Sequence, residues 1–288
     1  MIEVIHPGFY TSIQDQGRMG FRHLGIPISG AMDNRAFDLA HLLMGETANT
    51  TLIECTLVGP ILRFDASCSL VMTGAQMEAF LNETPIKNNE VVTVNSGDIL
   101  KLRQVLNGIR TYLKINHYLM IPEVLGSTSF YQPITSEALL KKGTHIFWSK
   151  SKTSFQSKNS RIRINDDYLF SDELEVERGP EYELFKDSLM ESLTSSKFEI
   201  ISQNRMGYRI KTSLKSKSKA MLSCAVRPGT VQMTPSGTLL IVGMDGQVSG
   251  GYPRIFQLSD DALSILVQKK AGDKISFKLL DKPLQRAL

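Results

Sequence analysis

Thr230-Val-Gln-Met-Thr-Pro-Ser-Gly-Thr-Leu-Leu-Ile-Val242 decides how this chain is read. Two apolar runs flank Pro235-Ser-Gly237, and the turn residues between them predict an antiparallel hairpin. The second run, Thr238-Leu-Leu-Ile-Val242, has the continuous apolar character of a buried strand. Directly after it comes Gly243-Met-Asp-Gly-Gln-Val-Ser-Gly-Gly-Tyr-Pro-Arg-Ile255, where glycines alternate with Asp245, Gln247, Ser249, Tyr252 and Arg254. A plain turn needs about two to five residues. This break is longer and chemically richer, so it reads as a site loop.

Working outward, the chain repeats the pattern of short strands and turn signals. Glu90-Val-Val-Thr-Val-Asn-Ser-Gly-Asp-Ile-Leu-Lys-Leu102 reads as another hairpin, turning at Asn95-Ser-Gly-Asp98. Further strands are expected over 69–73, 110–115, 144–148, 161–164 and 173–177. Three helices are expected: 33–44, with Gly45 as a stop; 182–193; and a third that starts behind Ser259 and ends before Gly272. Many strands and few helices predict a mainly β fold, with barrels or sandwiches rather than βαβ winding. The Ser- and Lys-rich stretch Ser149-Lys-Ser-Lys-Thr-Ser-Phe-Gln-Ser-Lys-Asn-Ser160 predicts a solvated connection between domains at 1–150 and 151–288. Each half also carries a Gly-Asp-x-apolar-x-apolar strand, Gly97-Asp-Ile-Leu-Lys-Leu102 and Gly272-Asp-Lys-Ile-Ser-Phe277, which hints at two related barrel-like halves.

Composition narrows the class. The 288 residues suffice for two modest domains or one large one. An apolar fraction of 42% and a charged fraction of 22% are those of an ordinary globular protein whose core needs no staples. A net charge of +4, with no Lys/Arg stripe interleaved with aromatics, argues against nucleic acid. Cys55, Cys68 and Cys224 are odd in number and contain no C-x-x-C pair, which argues against disulfides and zinc and fits a reducing cytoplasm. The first residues, Met1-Ile-Glu-Val-Ile-His-Pro-Gly8, carry an early acid and no apolar h-region, so no secretory signal is expected. No apolar run approaches the length of a membrane span.

Several familiar chemistries are missing. Gly25-Ile-Pro-Ile-Ser-Gly30 has the glycine spacing of a phosphate loop, but Ala31-Met32 stand where Lys and Ser/Thr are required. There is no G-x-S-x-G, no H-E-x-x-H and no Ala-Met-Lys-Met biotin-attachment site. His6, His23, His41, His117 and His145 lack ligand spacing. Neither a covalent cofactor nor a metal is therefore expected. Four segments do pair glycines with polar residues: Ser12-Ile-Gln-Asp-Gln-Gly-Arg-Met-Gly20, Gly25 to Asp33, Asn204-Arg-Met-Gly-Tyr-Arg209 and the stretch after Val242. Glycine lets backbone approach a ligand closely, and Arg18, Arg205, Arg209 and Arg254 each present a fork suited to carboxylate or phosphate. Plainer readings stand beside these. Asp15 and Arg18 would pair across a turn, Arg205 and Arg209 would clamp two strands, and Asp33 would cap the first helix. Lys211, Lys215, Lys217 and Lys219 would form a solvated edge.

Taken in order, Ser12-Ile-Gln-Asp-Gln-Gly-Arg18, Gly25-Ile-Pro-Ile-Ser-Gly-Ala-Met-Asp33, Ile53-Glu-Cys-Thr-Leu-Val-Gly-Pro60, Thr73-Gly-Ala75, Val124-Leu-Gly-Ser127, Arg178-Gly-Pro180, Arg205-Met-Gly-Tyr-Arg209, Pro228-Gly-Thr-Val-Gln232 and Asp245-Gly-Gln-Val-Ser-Gly-Gly-Tyr-Pro253 resemble the family of C-type 5-oxoprolinase subunits. This is also the biotin-dependent carboxyltransferase, or allophanate hydrolase subunit 2, family, and it includes the KipA proteins of bacteria. The likeness spans nearly the whole chain. It implies two cyclophilin-like β-barrel halves with a few short helices. It also implies partners, a KipI-like B-type 5-oxoprolinase subunit and commonly an A-type one, with which such chains cleave 5-oxoproline to glutamate using ATP. The chain would be inactive alone, with ATP bound alongside the partner subunits. Two alternatives stay open: a regulatory chain that only holds a KipI-like partner, and a component that moves a carboxyl group from carboxybiotin to a urea-like acceptor.

Within these motifs, catalytic roles are expected for Asp245, Gln247 and Arg205. Substrate binding is expected for Arg254, Tyr252, Gly250, Gly251, Tyr208 and Gln232. Gly250-Gly251 would lie against the flat ring with Tyr252 as a wall, while Arg254 would take the carboxylate. The chain departs from the family pattern at Gln76 and Asn204, where Asp is usual, at Asn116-His117-Tyr118 in place of Gly-Gly, and at Thr128 in place of Arg. The C-terminal motifs are better kept, which places the expected site mainly on that half.

Overall fold

The computed structural model describes residues 1–45, 50–150, 163–214 and 221–280. All but the first two residues of the expected connection at 149–160, the start of the expected strand at 161–164, and Lys215, Lys217 and Lys219 lie outside the described residues. The chain forms two compact units, Met1–Met19 with Ser29–Phe170 and Gly20–Ile28 with Ser171–Leu288. Both are mainly β, and no helix among the described residues is long and apolar enough to cross a membrane.

The first unit contains β1 (Ile2–His6), β2 (Tyr10–Gln14), β3 (Leu52–Thr56), β4 (Ile61–Phe64), β5 (Cys68–Leu81), β6 (Thr84–Ile86), β7 (Val92–Val94), β8 (Ile99–Ile115), β9 (His117–Leu119), β10 (His145–Ile146) and β11 (Trp148–Lys150). Nine of these make a curled, near-closed sheet, while β9 and β11 pair apart from it. The strands expected at 69–73 and 110–115 are pieces of the two longest. β5 and β8 pair from Leu70↔Ile115 to Leu81↔Leu100, with register shifts between Gly74 and Ala79. Such bulges let one strand pair bend around a core. A glycine inside a strand pattern reads as a break when only the sequence is seen, which is why the expected strand stops short. The hairpin expected over 90–102 is corrected. Its turn exists, with Asp98 Oδ2 accepting from the Asn95 N–H at 2.7 Å. However, β7 lies along β5, with Leu70 paired to Val92, and β8 lies along the opposite edge of β5, with Leu70 paired to Ile115. The turn therefore carries the chain from one edge of β5 to the other. Helix α1 (Asn34–Leu43) forms as expected: Asp33 Oδ1 accepts from the Ala36 N–H at 3.0 Å, and Ala36, Phe37 and Ala40 are buried.

The second unit contains β12 (Glu173–Arg178), β13 (Lys197–Asn204), β14 (Gly207–Lys211), β15 (Cys224–Ala225), β16 (Thr230–Met233), β17 (Leu239–Val242), β18 (Ser249–Gly250), β19 (Arg254–Leu258) and β20 (Lys274–Leu279). Seven close a barrel in the order β12-β19-β16-β17-β14-β13-β20, sealed by the parallel pairing of β20 with β12. The opening hairpin is present as β16 and β17, joined at Met233↔Leu239. Phe256 and Phe198 flank Phe277 inside, with ring centroids 5.5 and 6.1 Å away. The Gly-Asp lead-in recurs here too, with Asp273 Oδ2 accepting from the Lys270 N–H at 2.8 Å ahead of β20. The helix expected over 182–193 is broken. Tyr182–Leu184 is a 3₁₀ turn, Phe185 and Lys186 are extended, and α2 runs Asp187–Ser195. Tyr182 packs its ring, tilted, against Phe256 with centroids 5.9 Å apart, so the first turn is held to the barrel while α2 turns to bury Met190 and Leu193. Helix α3 (Asp260–Leu266) starts at the Ser259 cap, whose hydroxyl accepts from the Ala262 N–H.

Strands β13, β14 and β20 alternate between buried and solvent-facing residues for most of their length, as a half-buried sheet should. Strand β16 is buried on both faces. Its outer face is covered by the loop after β17, and that cover marks the site.

Candidate functional site

After Val242 the chain folds back over the barrel wall and is stitched down by its own backbone. Gly243 and Asp245 donate to the carbonyls of Met206 and Arg205, each at 2.9 Å. The Val226, Met221 and Met233 N–H groups donate to Val248, Gly251 and Pro253 at 3.0 Å. The polar side chains that crowd this stretch are largely fastened to protein partners. Asp245 receives Arg205 in a two-point pair, Nε to Oδ2 at 2.7 Å and Nη2 to Oδ1 at 3.1 Å, with both side chains under a tenth exposed. Gln232, buried on the outer face of β16, donates through Nε2 to the Tyr252 carbonyl at 2.9 Å. A Cβ on Gly250 would lie 2.6 Å from Gln232 Nε2 and 3.0 Å from Gln247 Nε2. Glycine there lets the loop close onto two glutamine amides.

Arg254 is held in the same manner. Its Nε and Nη2 donate to Glu181 at 2.9 and 2.7 Å, its Nη1 to the Ala225 carbonyl at 2.8 Å, and its backbone N–H to Glu181 Oε2 at 2.9 Å. The Arg254 fork holds the Glu181 carboxyl below the usual carboxylate range, and Glu181 in turn pushes the guanidinium up. The Arg178-Gly-Pro180 motif delivers that carboxylate. A Cβ on Gly179 would sit 2.1 Å from the Arg254 carbonyl oxygen, so only glycine lets this segment lie against β19.

Two clefts open beside this loop. One, of about 330 Å³, is walled by Gln203, Asn204, Tyr208, Arg209, Gln232 and Gln247 over an apolar floor from β17. The Asn204 amide oxygen accepts from the Met206 and Gly207 N–H groups at 2.9 and 3.2 Å. It thus orders the β13–β14 turn as an Asp would, which accounts locally for that departure. The other cleft, of about 490 Å³, lies between β12, β19 and β16 and is lined by Arg22, Arg178, Arg227, Arg254, Thr230 and Gln257, among others. Among the described residues, no group of three or more His, Cys, Asp or Glu side chains is placed to hold a metal.

In the first unit, Asp15 is an anchor. It accepts from Gly17 N–H, Ser127 Oγ, Thr128 N–H and Ser129 Oγ at 2.6–2.8 Å. Burial alone would raise its carboxyl, but the bonds from Ser127, Ser129, Thr128 and Gly17 outweigh it and hold the group below its usual value. Thr128, one of the family departures, is part of this anchor. Gln76, another, accepts from Asn107 Nδ2 at 2.7 Å.

Compared with known proteins, residues 24–279 match the carboxyltransferase domain family, subdomains A and B. The chain belongs to this family. It is 31% identical to the C-type 5-oxoprolinase subunit of Escherichia coli, over 96% of this chain and 90% of that one. It is 30% identical to the C-type 5-oxoprolinase subunit of Haemophilus influenzae, over 96% and 91%. Among solved structures, the urea amidolyase of K. lactis superposes with a TM-score of 0.85 at 27% identity, over 97% of this chain but 19% of that one.

For this member of the carboxyltransferase family, the structure brings Tyr208, Gln232 and Gln247 to one cleft and puts Arg254 in the other. Arg205 and Asp245 are paired beneath the loop, Gly250 packs on Gln232, and the Tyr252 carbonyl receives Gln232. Sequence reasoning passed over Arg22, Arg227 and Gln257. Arg227 directly precedes the Pro228-Gly-Thr motif, a position that should have drawn notice. Nothing local to Arg22 signals its place.

Proposed function

We propose that this chain is the C-type subunit of an ATP-dependent 5-oxoprolinase, opening the lactam of 5-oxoproline to glutamate only when assembled with B- and A-type partners. The observation that carries this reading is the likeness to two C-type 5-oxoprolinase chains along nearly the full length of both partners in each comparison. The 330 Å³ cleft supports it. Its lining is rich in amides, Gln203, Asn204, Gln232 and Gln247, and although the Asn204 oxygen and the Gln232 Nε2 also serve the fold, an amide-rich lining suits a small cyclic amide better than an apolar ligand. In this reading Gln247 orients the ring amide, with Tyr208 and Gln232 as walls. Arg205, Asp245, Gly250, Gly251, Tyr252 and Arg254 hold the loop that positions Gln247. A lactam resists attack until its carbonyl oxygen is stabilised, and aligned donors do that best where water is excluded. ATP, bound with the partner subunits, supplies the phosphoryl group that drives the opening. Use of ATP and three free cysteines fit a cytoplasmic setting.

One observation favours carboxyl transfer as a second reading: 28% identity to the urea amidolyase of Lachancea kluyveri over 99% of this chain, though only 17% of that protein. Supplying the assembled chains with 5-oxoproline and ATP, or with a carboxybiotinyl carrier and urea, separates the two. Glutamate release is expected. Labelled carboxyl appearing on urea, without glutamate, would replace the reading.

A further inference from the structure

We infer that Arg209 makes the 330 Å³ cleft select an amide that also carries a carboxylate. This rests on the oxoprolinase reading and names the residue that takes the acid group of the substrate. Among the described residues that line this cleft, Arg209 is the one charged side chain, and none is a carboxylate. A single guanidinium fork balances a single carboxylate.

Four arginines stand in the glycine-rich motifs, and three are occupied. Arg18 is buried and donates to the Ser129 carbonyl, Arg205 is paired with Asp245, and Arg254 is paired with Glu181. Arg209 is exposed and has no hydrogen-bond or ion-pair partner among the described residues, so its fork is open to a ligand. Strand register aims it. Ser202, Arg209, Leu240 and Gln232 are successive cross-strand partners on β13, β14, β17 and β16. Directly opposed residues share one face of a sheet, and all four line the cleft, while Ile210, Leu239 and Ile241 at the alternate positions are buried. Arg209 and Gln232 therefore stand in one row on the barrel wall, two strand spacings or roughly 10 Å apart. Leu240, half-buried between them, offers an apolar floor to the methylenes of a ring. Gln247, also exposed and without a partner among the described residues, enters the cleft from the loop. A five-membered lactam laid on Leu240 would meet amides at one end and the Arg209 fork at the other. The planar guanidinium matches the two carboxylate oxygens, as an ammonium does not. A urea-like acceptor is neutral and would leave Arg209 unused.

Two measurements on this chain assembled with its B- and A-type partners test the inference: steady-state kinetics, and NMR titration without ATP. The titration compares 5-oxoproline with its primary amide, which keeps the ring and loses the charge. Arg209→Gln should raise KM for 5-oxoproline about tenfold and change kcat less than about twofold, the pattern of lost ground-state binding. Arg209→Lys should recover only part of the loss. Wild type should bind 5-oxoproline about tenfold more tightly than the primary amide, and Arg209→Gln should bind the two about equally. As an exposed side chain without a protein partner, Arg209 should be replaceable by Gln with no change in thermal unfolding. An unchanged KM, or a preference for the carboxylate that survives in Arg209→Gln, would overturn the inference. Wild-type assemblies that form no glutamate would instead defeat the oxoprolinase reading. The titration then still decides on Arg209: a preference lost in Arg209→Gln upholds it, and no preference in wild type overturns it.

Discussion

Asp245→Ala removes the carboxylate that pairs at two points with a buried arginine. The pair it breaks has contacts of 2.7 and 3.1 Å, with side chains 7% and 8% exposed, so Arg205 loses its counter-charge at a position largely cut off from water. Deleting one partner of such a pair costs roughly 3–5 kcal/mol, because the remaining buried charge is no longer compensated by a carboxylate. At roughly 2–4 °C per kcal/mol for a domain of this class, the melting temperature should fall by about 10 °C. The double variant Arg205→Met/Asp245→Leu removes the remaining charge as well and should recover most of that loss. Circular dichroism melts of wild type, both single variants and the double variant complete the cycle. A drop below about 3 °C for Asp245→Ala would refute the fastening role and return Asp245 to direct ligand contact.

Arg254→Lys keeps the charge but loses the fork on Glu181, so unfolding should be easier by roughly 1–2 kcal/mol. Unchanged stability with a collapse in catalytic efficiency of the assembled enzyme would instead put Arg254 on the substrate. Gly179→Ala drives a Cβ to 2.1 Å from the Arg254 carbonyl, where backbone cannot yield. Gly250→Ala meets side-chain ends, those of Gln232 and Gln247, rather than backbone. The first should destabilise by several kcal/mol or prevent folding, the second by about 1 kcal/mol, with its larger effect on KM for 5-oxoproline; the reverse order in denaturant melts would contradict the packing. The folded-state pKa of Asp15 lies below its usual 3.8, so its contribution is present above that pH and is lost as pH falls through the lowered value. Wild type should therefore shed stability more steeply than Asp15→Asn below about pH 4, and parallel acid profiles would count against it.

The parts of the fold legible in the sequence are those with local signals. The hairpin of β16 and β17, the Asp33 and Ser259 caps and both Gly-Asp lead-ins follow from a few adjacent residues. The length of β5 and β8 is hidden because Gly74 reads as a stop, although here it marks a bulge inside a continuing strand. The hairpin at 90–102 fails for a related reason: a turn fixes where the chain reverses, while the choice of neighbour depends on which edge of β5 is open. The loop after Val242 is recognisable as unusual, but its polar residues look like ligand groups because their partners lie far away in the chain. Glu181 is 73 residues from Arg254, and Arg205 is 40 from Asp245. The arginine cleft leaves almost no trace in the sequence, since Arg22, Arg178, Arg227 and Arg254 meet only once the barrel closes.

The central claim is tested most directly by ATP-dependent glutamate formation from 5-oxoproline, measured with this chain and the B- and A-type partners of the same source mixed, and with each omitted in turn. Turnover should require this chain and be absent when it is incubated by itself, and Gln247→Ala should cut kcat of the full mixture at least about tenfold without loosening assembly. Equal glutamate formation with and without this chain would contradict a 5-oxoprolinase role.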